Sequence, residues 1–557
     1  MKNLLTENID IWTSVQIQKK GNGRGNGSAN QSHYGIKKLR ELILELAVRG
    51  KLVPQDPNDE PASVLLEKIA KEKERLIKEG KIKKQEHLSK ITEEEKPFEV
   101  PKGWVWARLT ELYYSISPSG KKLKSSEISD AGKFPVVDQG KSYIAGYTDN
   151  LELLIRIPHP IILFGDHTTE IKYIDFNFVA GADGTKILCP YKMHERYFYT
   201  YLLTYKLEDR GYARHFKVLN DNLMALPPYA EQHRIVAKVD ELMAICDQLE
   251  QQQTDGIAAH QTLVETLLAT ITSAANKDEL TEAWQRIASH FDILFTTERS
   301  IDQFKQTILQ LAVMGKLVPQ DPSDESASVL LKKIAAEKVR LVKEGKIRKE
   351  KVLPYVAEDA PPFELPESWE WTKLGAIGYT QTGTTPSTTK SEYFGKGYPF
   401  IKPADITDKG INYDGDELTK AGIAVGRLVP NESALMVCIG GSIGKVGYVD
   451  REVSCNQQIN TITPFARIDA LFVAYWMKSP LIQRQVLSLA PQTTLPILSK
   501  GKWELLLFPL PPLAEQCRIV AKVDELMVLC DKLKDRLKEA QVTQIQLADA
   551  IVERAVM

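Results

Sequence analysis

Asp166, Glu170 and Lys172 come nearest in this chain to a set of residues that could catalyse a reaction. Two carboxylates beside a lysine could hold Mg²⁺ and assist the hydrolysis of a phosphodiester, as they do in nucleases. The spacing is common by chance, and the matching place in the second half of the chain carries nothing equivalent. We therefore do not expect a nuclease centre here.

Other catalytic patterns are incomplete or missing. Gly444 and Lys445 approach the phosphate-loop pattern G-x-x-x-x-G-K-[ST], but Ile439 and Val446 stand at two of its essential positions. The zinc pattern H-E-x-x-H does not occur, and neither do the N-P-P-[FY] or D-P-P-[FY] runs that amino-methyltransferases use. The six cysteines are scattered, which favours free thiols over a disulfide framework or a zinc site. We expect a chain with no catalytic centre, metal or cofactor of its own.

Two segments, residues 107–225 and 372–509, carry many side chains of the types that read nucleic acid. Such side chains hydrogen-bond to base edges and to phosphates. The candidates in the first segment are Lys121, Lys122, Lys124, Gln139, Lys141, Tyr143, His167, Thr168, Lys172, Lys186 and Lys217. The candidates in the second segment are Thr382, Thr384, Thr385, Ser387, Lys402, Ser442, Lys445, Asn456, Gln457, Gln458, Gln492, Thr493 and Thr494. For each residue the alternative is ordinary surface or turn chemistry.

Both segments mix strand-like and helix-like patterns. Short β-branched and aromatic runs such as Phe134–Val137, Ile161–Phe164 and Tyr398–Ile401 are broken by Gly and Pro, which is typical of strands joined by loops. More helical stretches follow at Glu195–Leu207 and Leu471–Met477. The patterns predict two α+β domains with loop-rich faces.

The two segments lie inside a duplicated frame. Glu41–Lys84 aligns with Gln306–Lys349 with 33 of 44 positions identical, and Leu226–Asp247 aligns with Leu510–Asp531 with 18 of 22 identical. The enclosed segments, of 119 and 138 residues, show no evident similarity. Such an arrangement suits a scaffold that holds two different readers in equivalent places, although two tandem domains that diverged fastest in their loops would look similar.

Long helices are expected after each copy of the LPP-x-AEQ run. No proline follows Pro228 until Pro319, and none follows Pro512. Apolar residues there recur at alternating spacings of four and three, the pattern of a coiled-coil seam. The seam residues are Ile235, Val239, Leu242, Cys246 and Leu249 in the first helix, and Ile519, Val523, Leu526, Cys530, Leu533 and Leu537 in the second. We predict that the two helices pair, the alternative being two independent core helices in separate domains.

Composition limits the function further. Lys and Arg number 72 against 73 Asp and Glu, so nucleic-acid contacts must come from local patches. No apolar run reaches the ~20 residues of a membrane span, and the N-terminal residues lack a secretory pattern. We expect no membrane association and a cytoplasmic location.

The duplicated LPP-x-AEQ-x-RIVAKVDEL run, each copy closing a segment that a W-x-W stretch opens, resembles the specificity subunits of type I restriction-modification systems. Lys38–Pro57 resembles their type IB group. The resemblance implies two α+β target recognition domains separated by a long antiparallel coiled-coil spacer, in a pseudo-twofold duplicated architecture. Each domain would read one half of a bipartite, asymmetric site in double-stranded DNA.

The resemblance also implies partners. Two methyltransferase subunits and two motor-nuclease subunits would complete the complex and carry out its chemistry. S-adenosylmethionine, ATP and Mg²⁺ would be bound by those partner subunits and not by this chain. The rival functions are a coiled-coil assembly protein without DNA readout and a stand-alone nuclease.

The domain organisation follows from the repeat and the resemblance. The predicted parts are an N-terminal arm and flexible linker (1–36), a helical frame module (37–106), target recognition domain 1 (107–225), a central spacer helix (226–277), connecting helices with the second frame module (278–371), target recognition domain 2 (372–509) and a C-terminal spacer helix (510–557).

Overall fold

The computed structural model describes residues 7–14, 17–18, 31–83, 89–116, 118, 120, 122–181, 184–207, 214–348, 353–354, 356, 361–490 and 495–556. The chain forms two compact units. The first unit contains Met1–Ile257 together with Ala540–Met557, and the second contains Ala258–Glu539. The first unit is therefore built from both ends of the chain.

The first unit combines helices with short strands. Its helices are α1 (Ile9–Ser14), α2 (Tyr34–Val48), α3 (Ala62–Lys78), α4 (Glu195–Leu202), α5 (Phe216–Asn220) and the beginning of α6 (Tyr229–Ser273). Its strands are β1 (Ile17–Gln18), β2 (Gln31–Ser32), β3 (Val105–Arg108), β4 (Tyr113–Ile116), β5 (Lys122–Leu123), β6 (Phe134–Val137), β7 (Gly146–Thr148), β8 (Leu154–Ile155), β9 (Ile161–Gly165), β10 (Ile171–Ile174), β11 (Phe178–Gly181), β12 (Thr185–Pro190) and β13 (Leu223–Leu226).

The second unit has a similar mixture. Besides the end of α6, its helices are α7 (Lys277–Ser289), α8 (Phe291–Leu294), α9 (Glu298–Val313), α10 (Ala327–Lys343), α11 (Lys420–Val425), α12 (Ala470–Lys478), α13 (Pro480–Leu489), α14 (Lys500–Glu504) and the beginning of α15 (Leu513–Val556). Its strands are β14 (Glu370–Lys373), β15 (Gly378–Thr382), β16 (Phe394–Ile401), β17 (Ile406–Thr407), β18 (Gly410–Ile411), β19 (Glu417–Leu418), β20 (Ser433–Val437), β21 (Val446–Val449), β22 (Ser454–Cys455), β23 (Ile459–Pro464) and β24 (Leu507–Leu510). Within the described ranges, no helix has the length and apolar character needed to cross a bilayer.

Both α+β domains contain a four-stranded antiparallel sheet with the same order. In the first domain, taken as the elements from β4 to α5, the order is β10-β9-β12-β4. In the second domain, from β15 to α14, the order is β21-β20-β23-β15. Each domain also has a second sheet built around a parallel pair, β6 with β11 in the first and β16 with β22 in the second. The observed fold is mixed α and β, as predicted.

Helix α2 forms the centre of the helical frame in the first unit. Its apolar residues recur every three or four positions, so they form one buried face. The guanidinium of Arg40 lies 2.7 Å from the carboxylate of Asp247 on α6. His33, just before α2, contacts Thr254 farther along α6 with a ring nitrogen 3.2 Å from the hydroxyl. Helix α6 therefore runs opposite to α2.

The end of α15 packs on the same helix. The hydroxyl of Tyr34 donates to Asp549 at 2.8 Å, and the ammonium of Lys51 donates to the carbonyl of Val556 at 3.0 Å. Ala548 is fully buried in the core that α2 and α6 share. The end of α15 therefore runs parallel to α2 and opposite to α6 within this unit.

Helix α9 takes the corresponding place in the second unit. Lys534 of α15 lies 2.7 Å from Asp302, and Lys305 pairs with Asp531. The residue numbers fall on α15 as they rise on α9, so these two helices run in opposite directions. Salt bridges at exposed ends contribute little by themselves, so the buried apolar face of α9 supplies most of the stability here.

Contacts with α6 complete this second frame. Gln303 donates to Glu265 at 2.8 Å, and Lys316 donates to the carbonyl of Thr272 at 3.1 Å. Helix α6 therefore runs parallel to α9 and, within the second unit as within the first, opposite to α15.

The predicted seam residues lie in the apolar cores of their own units. Those of α6 belong to the core of the first unit with the apolar face of α2, and those of α15 belong to the core of the second unit with the apolar face of α9. Ile235, Val239, Leu242, Cys246, Ile519, Val523 and Cys530 are buried, and Leu249, Leu526, Leu533 and Leu537 are partly buried. Each seam thus has an additional neighbour, α2 or α9, that the heptad pattern did not predict.

A buried carboxylate joins the start of α6 to the W-x-W stretch. Glu231 is 1% exposed and accepts hydrogen bonds from Trp104 Nε1 at 2.9 Å and from Gln55 Nε2 at 3.1 Å. The adjacent Gln232 accepts the backbone N–H of His194 at 2.8 Å and so fixes the start of α4. Burial raises the pKa of Glu231, and the two donors oppose that change.

The same contacts recur in the second unit. Glu515 is fully buried and accepts from Trp369 Nε1 at 3.0 Å and from Gln320 Nε2 at 2.9 Å. Gln516 accepts the N–H of Asp469 at 3.0 Å and so fixes the start of α12. The frame therefore attaches each α+β domain through one set of polar contacts.

Part of the predicted N-terminal arm is packed. Trp12 on α1 is fully buried, and its carbonyl lies so close to Gly35 that a Cβ at this glycine would be 2.3 Å away. Any larger residue there would displace the helix. Of the predicted flexible linker, residues 19–30 lie outside the described residues.

Candidate nucleic-acid interface

Three loops of the first α+β domain meet at one end of the four-stranded sheet. They are residues 138–142 after β6, the turn 166–170 between β9 and β10, and Gly184 before β12. The N–H of His167 donates to Gln139 Oε1 at 3.2 Å, and the hydroxyl of Thr168 donates to the carbonyl of Gln139 at 2.6 Å. Gly184 has φ +94°, and a Cβ there would lie 2.7 Å from Gln139 Oε1. The structure thus brings three predicted site residues together.

Asp166 is the buried centre of this turn. Its carboxylate accepts the N–H of Phe216 at 2.9 Å, and its carbonyl accepts the N–H of His215 at 2.8 Å. Lys186, a predicted site residue, lies 3.7 Å from the same carboxylate and above the Phe216 ring, 5.3 Å from its centroid. Asp166 therefore holds the start of α5 against the sheet.

Lys172, another predicted site residue, is buried. Its side chain is 4% exposed, and its ammonium donates to the carbonyls of Asp138 at 2.8 Å and Ser142 at 2.6 Å. Burial lowers the pKa of Lys172, and the nearby carboxylates of Asp138 and Glu170 partly oppose this. Lys172 thus does not present the surface ammonium that a phosphate contact requires, and its ammonium is occupied by the loop 138–142.

The other candidates of the first domain lie on its surface. Tyr143 is 48% exposed and donates its hydroxyl to the carbonyl of Tyr173. Four of the predicted lysines are exposed: Lys122, Lys124, Lys141 and Lys217. Lys121 lies outside the described residues.

The candidates of the second domain also converge. The hydroxyl of Thr385 donates to Gln457 Oε1 at 2.5 Å, and the N–H of Thr384 donates to the carbonyl of Cys455 at 2.9 Å. Asn456 Nδ2 donates to Gln458 Oε1 at 3.0 Å. The loop after β15 and the loop before β23 therefore form one polar surface.

A third loop joins this surface. Gln458 Nε2 donates to the carbonyl of Ile439 at 3.2 Å, which attaches the turn 438–445 between β20 and β21. This turn carries the candidates Ser442, which is half-buried, and Lys445, which is exposed. The ammonium of Lys445 lies 3.4 Å from the carbonyl of Pro403 and 3.3 Å from that of Ile406.

The remaining candidates lie around the edge. The ammonium of Lys402 pairs with Asp416, and the hydroxyls of Ser387 and Thr389 lie 2.9 Å apart. Gln492, Thr493 and Thr494 lie outside the described residues, which resume at Leu495.

Sequence reasoning missed two residues that hydrogen-bond to the candidate Thr382, the buried Asn460 and the exposed Arg427. Asn460 accepts from the hydroxyl of the candidate Thr382 at 2.8 Å, and Arg427 donates to the carbonyl of Thr382 at 2.6 Å. Asn460 follows the predicted Asn456–Gln458 run after one residue, so the polar run could have been extended to it. Nothing in the sequence around Arg427 indicates its contact.

The candidate loops occupy the same places in both domains. One follows β6 or β16, and one joins β9 to β10 or β20 to β21; in the second domain the loops after β15 and before β23 carry further candidates. Because neighbouring strands of an antiparallel sheet run in opposite directions, the turn after β9 or β20 lies at the same end of the four-stranded sheet as the start of β12 or β23 and the end of β4 or β15. The two domains thus present different polar side chains from equivalent positions.

Known proteins with related sequences identify the family. The family model described as the type I restriction modification DNA specificity domain matches residues 101–259 and 366–544. The chain belongs to the type I restriction-modification DNA specificity family. Each match begins near the W-x-W stretch and ends within a long helix, so each includes one α+β domain with its attachment to the frame.

Individual relatives agree with this assignment. The chain is 39% identical to the type I restriction enzyme EcoAI specificity subunit of Escherichia coli, over all of both chains. It is 38% identical to the EcoEI specificity subunit of the same species, over all of this chain and 99% of the other. A solved structure from work on complex assembly and conformational transition of the type I R-M system aligns with 83% of this chain and 99% of its own, at 16% identity and a TM-score of 0.46. The assignment rests on the sequence relatives.

Proposed function

We propose that this chain is the DNA specificity subunit of a type I restriction-modification complex, and that each α+β domain reads one half of a bipartite, asymmetric site. One observation carries the proposal: two domains with the same strand order present different polar side chains from corresponding loops, after β6 or β16 and between β9 and β10 or β20 and β21. Loops on a rigid sheet can change their base contacts without changing the scaffold. Two unlike readers on one frame suit an asymmetric site.

The chemistry belongs to other subunits in this proposal. The chain has no catalytic role, and two methyltransferase and two motor-nuclease subunits supply methylation and restriction. S-adenosylmethionine, ATP and Mg²⁺ bind to those subunits. The close relatives, which are specificity subunits of type I restriction enzymes, support this division.

Helices α6 and α15 act as the spacer in this proposal. They would pair as an antiparallel coiled coil and fix the separation of the two half-sites, with the duplicated frames related by a pseudo-twofold axis. The heptad spacing of both helices and their opposite directions within each unit support this role. Half-sites about one helical turn apart would then face the same side of the DNA.

Coexpression with the methyltransferase subunit of the same system, in a host that lacks DNA methylation, tests the proposal. Sequencing of modified bases should give one bipartite, asymmetric motif. A chimera with a foreign segment in place of residues 107–225 should change one half of that motif and leave the other half and the gap unchanged. A change in both halves would contradict separate reading, and absence of sequence-dependent methylation and binding would favour an assembly protein.

A further inference from the structure

A buried lysine holds the loop that carries several candidate readers of the first domain. The ammonium of Lys172 reaches from β10 to the carbonyls of Asp138 and Ser142, at 2.8 and 2.6 Å. These two carbonyls bracket the loop 138–142, which contains Gln139 and Lys141. The lysine therefore closes the loop at both of its ends.

The cation is well suited to this task. An ammonium in a nearly dry environment must be matched by acceptors, because an unpaired buried charge is strongly unfavourable. Lys172 is 4% exposed, and the Asp138 carboxylate, 3.7 Å away, supplies a compensating charge. If the loop opened, the buried ammonium would lose these acceptors. The closed conformation of the loop is therefore strongly favoured.

The loop in turn positions the reading surface. Gln139 is held by the turn 166–170 through His167 and Thr168, and Gly140 donates its N–H to the Asp138 carboxylate at 2.8 Å. A displacement of the loop would therefore move Gln139 and the adjoining turn together.

The second domain contains a related contact with a different sequence. Lys445 precedes β21, the strand that corresponds to β10. Its ammonium faces one carbonyl in the loop after β16, the counterpart of the loop after β6, and one at the start of β17. The distances are 3.4 Å to Pro403 and 3.3 Å to Ile406, and the lysine is exposed. The longer distances and the access of water make this second contact weaker.

We propose that Lys172 is a positioning residue for the half-site that the first domain reads: it fixes the loop 138–142 and does not itself contact DNA. Lys445 has the same role, with a smaller effect, in the second domain. The inference rests on the proposed function, because it requires that these loops read DNA.

Salt dependence separates positioning from phosphate contact. Loss of one phosphate contact makes the negative slope of log K against log salt concentration shallower by about 0.9. It also weakens binding to all sequences alike. Loss of a positioning residue should instead leave the slope unchanged and reduce discrimination at one half-site.

The test uses Lys172→Met in the complex with methyltransferase subunits, measured by equilibrium binding at several salt concentrations. The duplexes are the recognised site, one with the first half-site substituted and one with the second substituted. We expect discrimination at the first half-site to fall about tenfold, as for loss of one well-placed base contact, with the second half-site and the slope unchanged. Lys445→Met should reduce discrimination at the second half-site by a smaller factor. Lys172→Arg keeps the charge and the donors and should recover most of the discrimination.

Three results would overturn the inference. They are a fall of about 0.9 in the slope for Lys172→Met with discrimination intact, an equal loss at both half-sites, and unchanged discrimination in a folded variant. Discrimination at the second half-site reports folding of the complex, and if Lys172→Met does not fold, Lys172→Gln, which keeps one donor group, is measured in the same way. Failure of the wild-type complex to discriminate either half-site would instead contradict the proposed function.

Discussion

The two α+β domains differ in their loops and agree in the strand order of their four-stranded sheets. The turn between β9 and β10 has five residues, 166–170, whereas the turn between β20 and β21 has eight, 438–445. The second domain also inserts helix α13 between α12 and α14, where the first domain passes from α4 to α5 without a helix in the described residues. The sheet order and the parallel strand pair are retained despite these changes.

The attachment of each domain to its frame differs much less than the loops. The Trp–Glu–Gln contact is present in both units with donor–acceptor distances that agree within 0.2 Å. The loops vary and the second domain gains a helix, while the junction with the frame helices is constant. A scaffold of this kind can change what it reads without changing how it is held.

The largest effect should follow removal of a core aromatic from one domain. Trp503 on α14 is fully buried and corresponds to Leu219 on α5, which is also fully buried. Trp503→Ala should destabilise the second unit by about 3–5 kcal/mol, because a large cavity replaces packed atoms. Thermal unfolding followed by limited proteolysis should show early loss of the second unit only.

Leu219→Ala is the matched variant in the first unit. The smaller side chain should give a smaller loss there, of about 2–5 kcal/mol, with the second unit unaffected. If either variant destabilised both units equally, the description of two separate compact units would be contradicted.

The constant junction should respond equally in both units. Glu231→Gln and Glu515→Gln each replace an acceptor oxygen with an amide NH₂ that faces a donor, so one buried hydrogen bond is lost. Each substitution should lower the free energy of unfolding by about 1–3 kcal/mol, measured by denaturant titration. A large effect in one unit and none in the other would break the similarity of the two junctions.

The stability difference between the wild-type chain and each glutamine variant should depend on pH, because only the wild-type carboxyl titrates. Burial raises the pKa of Glu231 and of Glu515 above 4.5, so each group binds its proton more tightly in the folded state. Stability from the protonated form is complete below 4.5 and is lost as pH rises through the folded pKa. The difference between the wild-type chain and each glutamine variant should therefore be larger at pH 4 than at pH 7.

The positions of the long helices could be predicted from the sequence, but the helices that pack against them could not. Long helices were expected within 226–277 and 510–557, and helices are found at Tyr229–Ser273 and Leu513–Val556, because proline and apolar spacing are local signals. The part that α2 and α9 play beside the seams was not predicted, since a heptad pattern shows which face is buried and not what covers it. The shared strand order of the two four-stranded sheets could not be predicted either, because the loop and strand sequences diverged while the topology was retained.

Lys172 and Lys445 show the same limit at the site. Both were predicted as DNA contacts from their residue type; the burial of Lys172, and the carbonyls that face each ammonium, depend on contacts between residues 30 or more positions apart. The convergence of Thr385 with Gln457 likewise depends on the pairing of β15 with β23. The sequence gives the type of each side chain at the site, but it does not show which groups that side chain contacts in the fold.

The smallest expected effect concerns the charge difference between the two reading surfaces. The candidates exposed in the first domain include four lysines, whereas the convergent loops of the second present mainly Thr, Asn and Gln. Lys217→Ala should therefore lower the salt slope by about 0.9 and weaken binding to all sequences alike, as measured by titration at several salt concentrations. Gln457→Ala is the matched variant in the second domain and should leave the slope unchanged while relaxing the second half-site. If both variants changed the slope equally, the two surfaces would share phosphate contacts evenly, and the contrast drawn from their lysines would have to be abandoned.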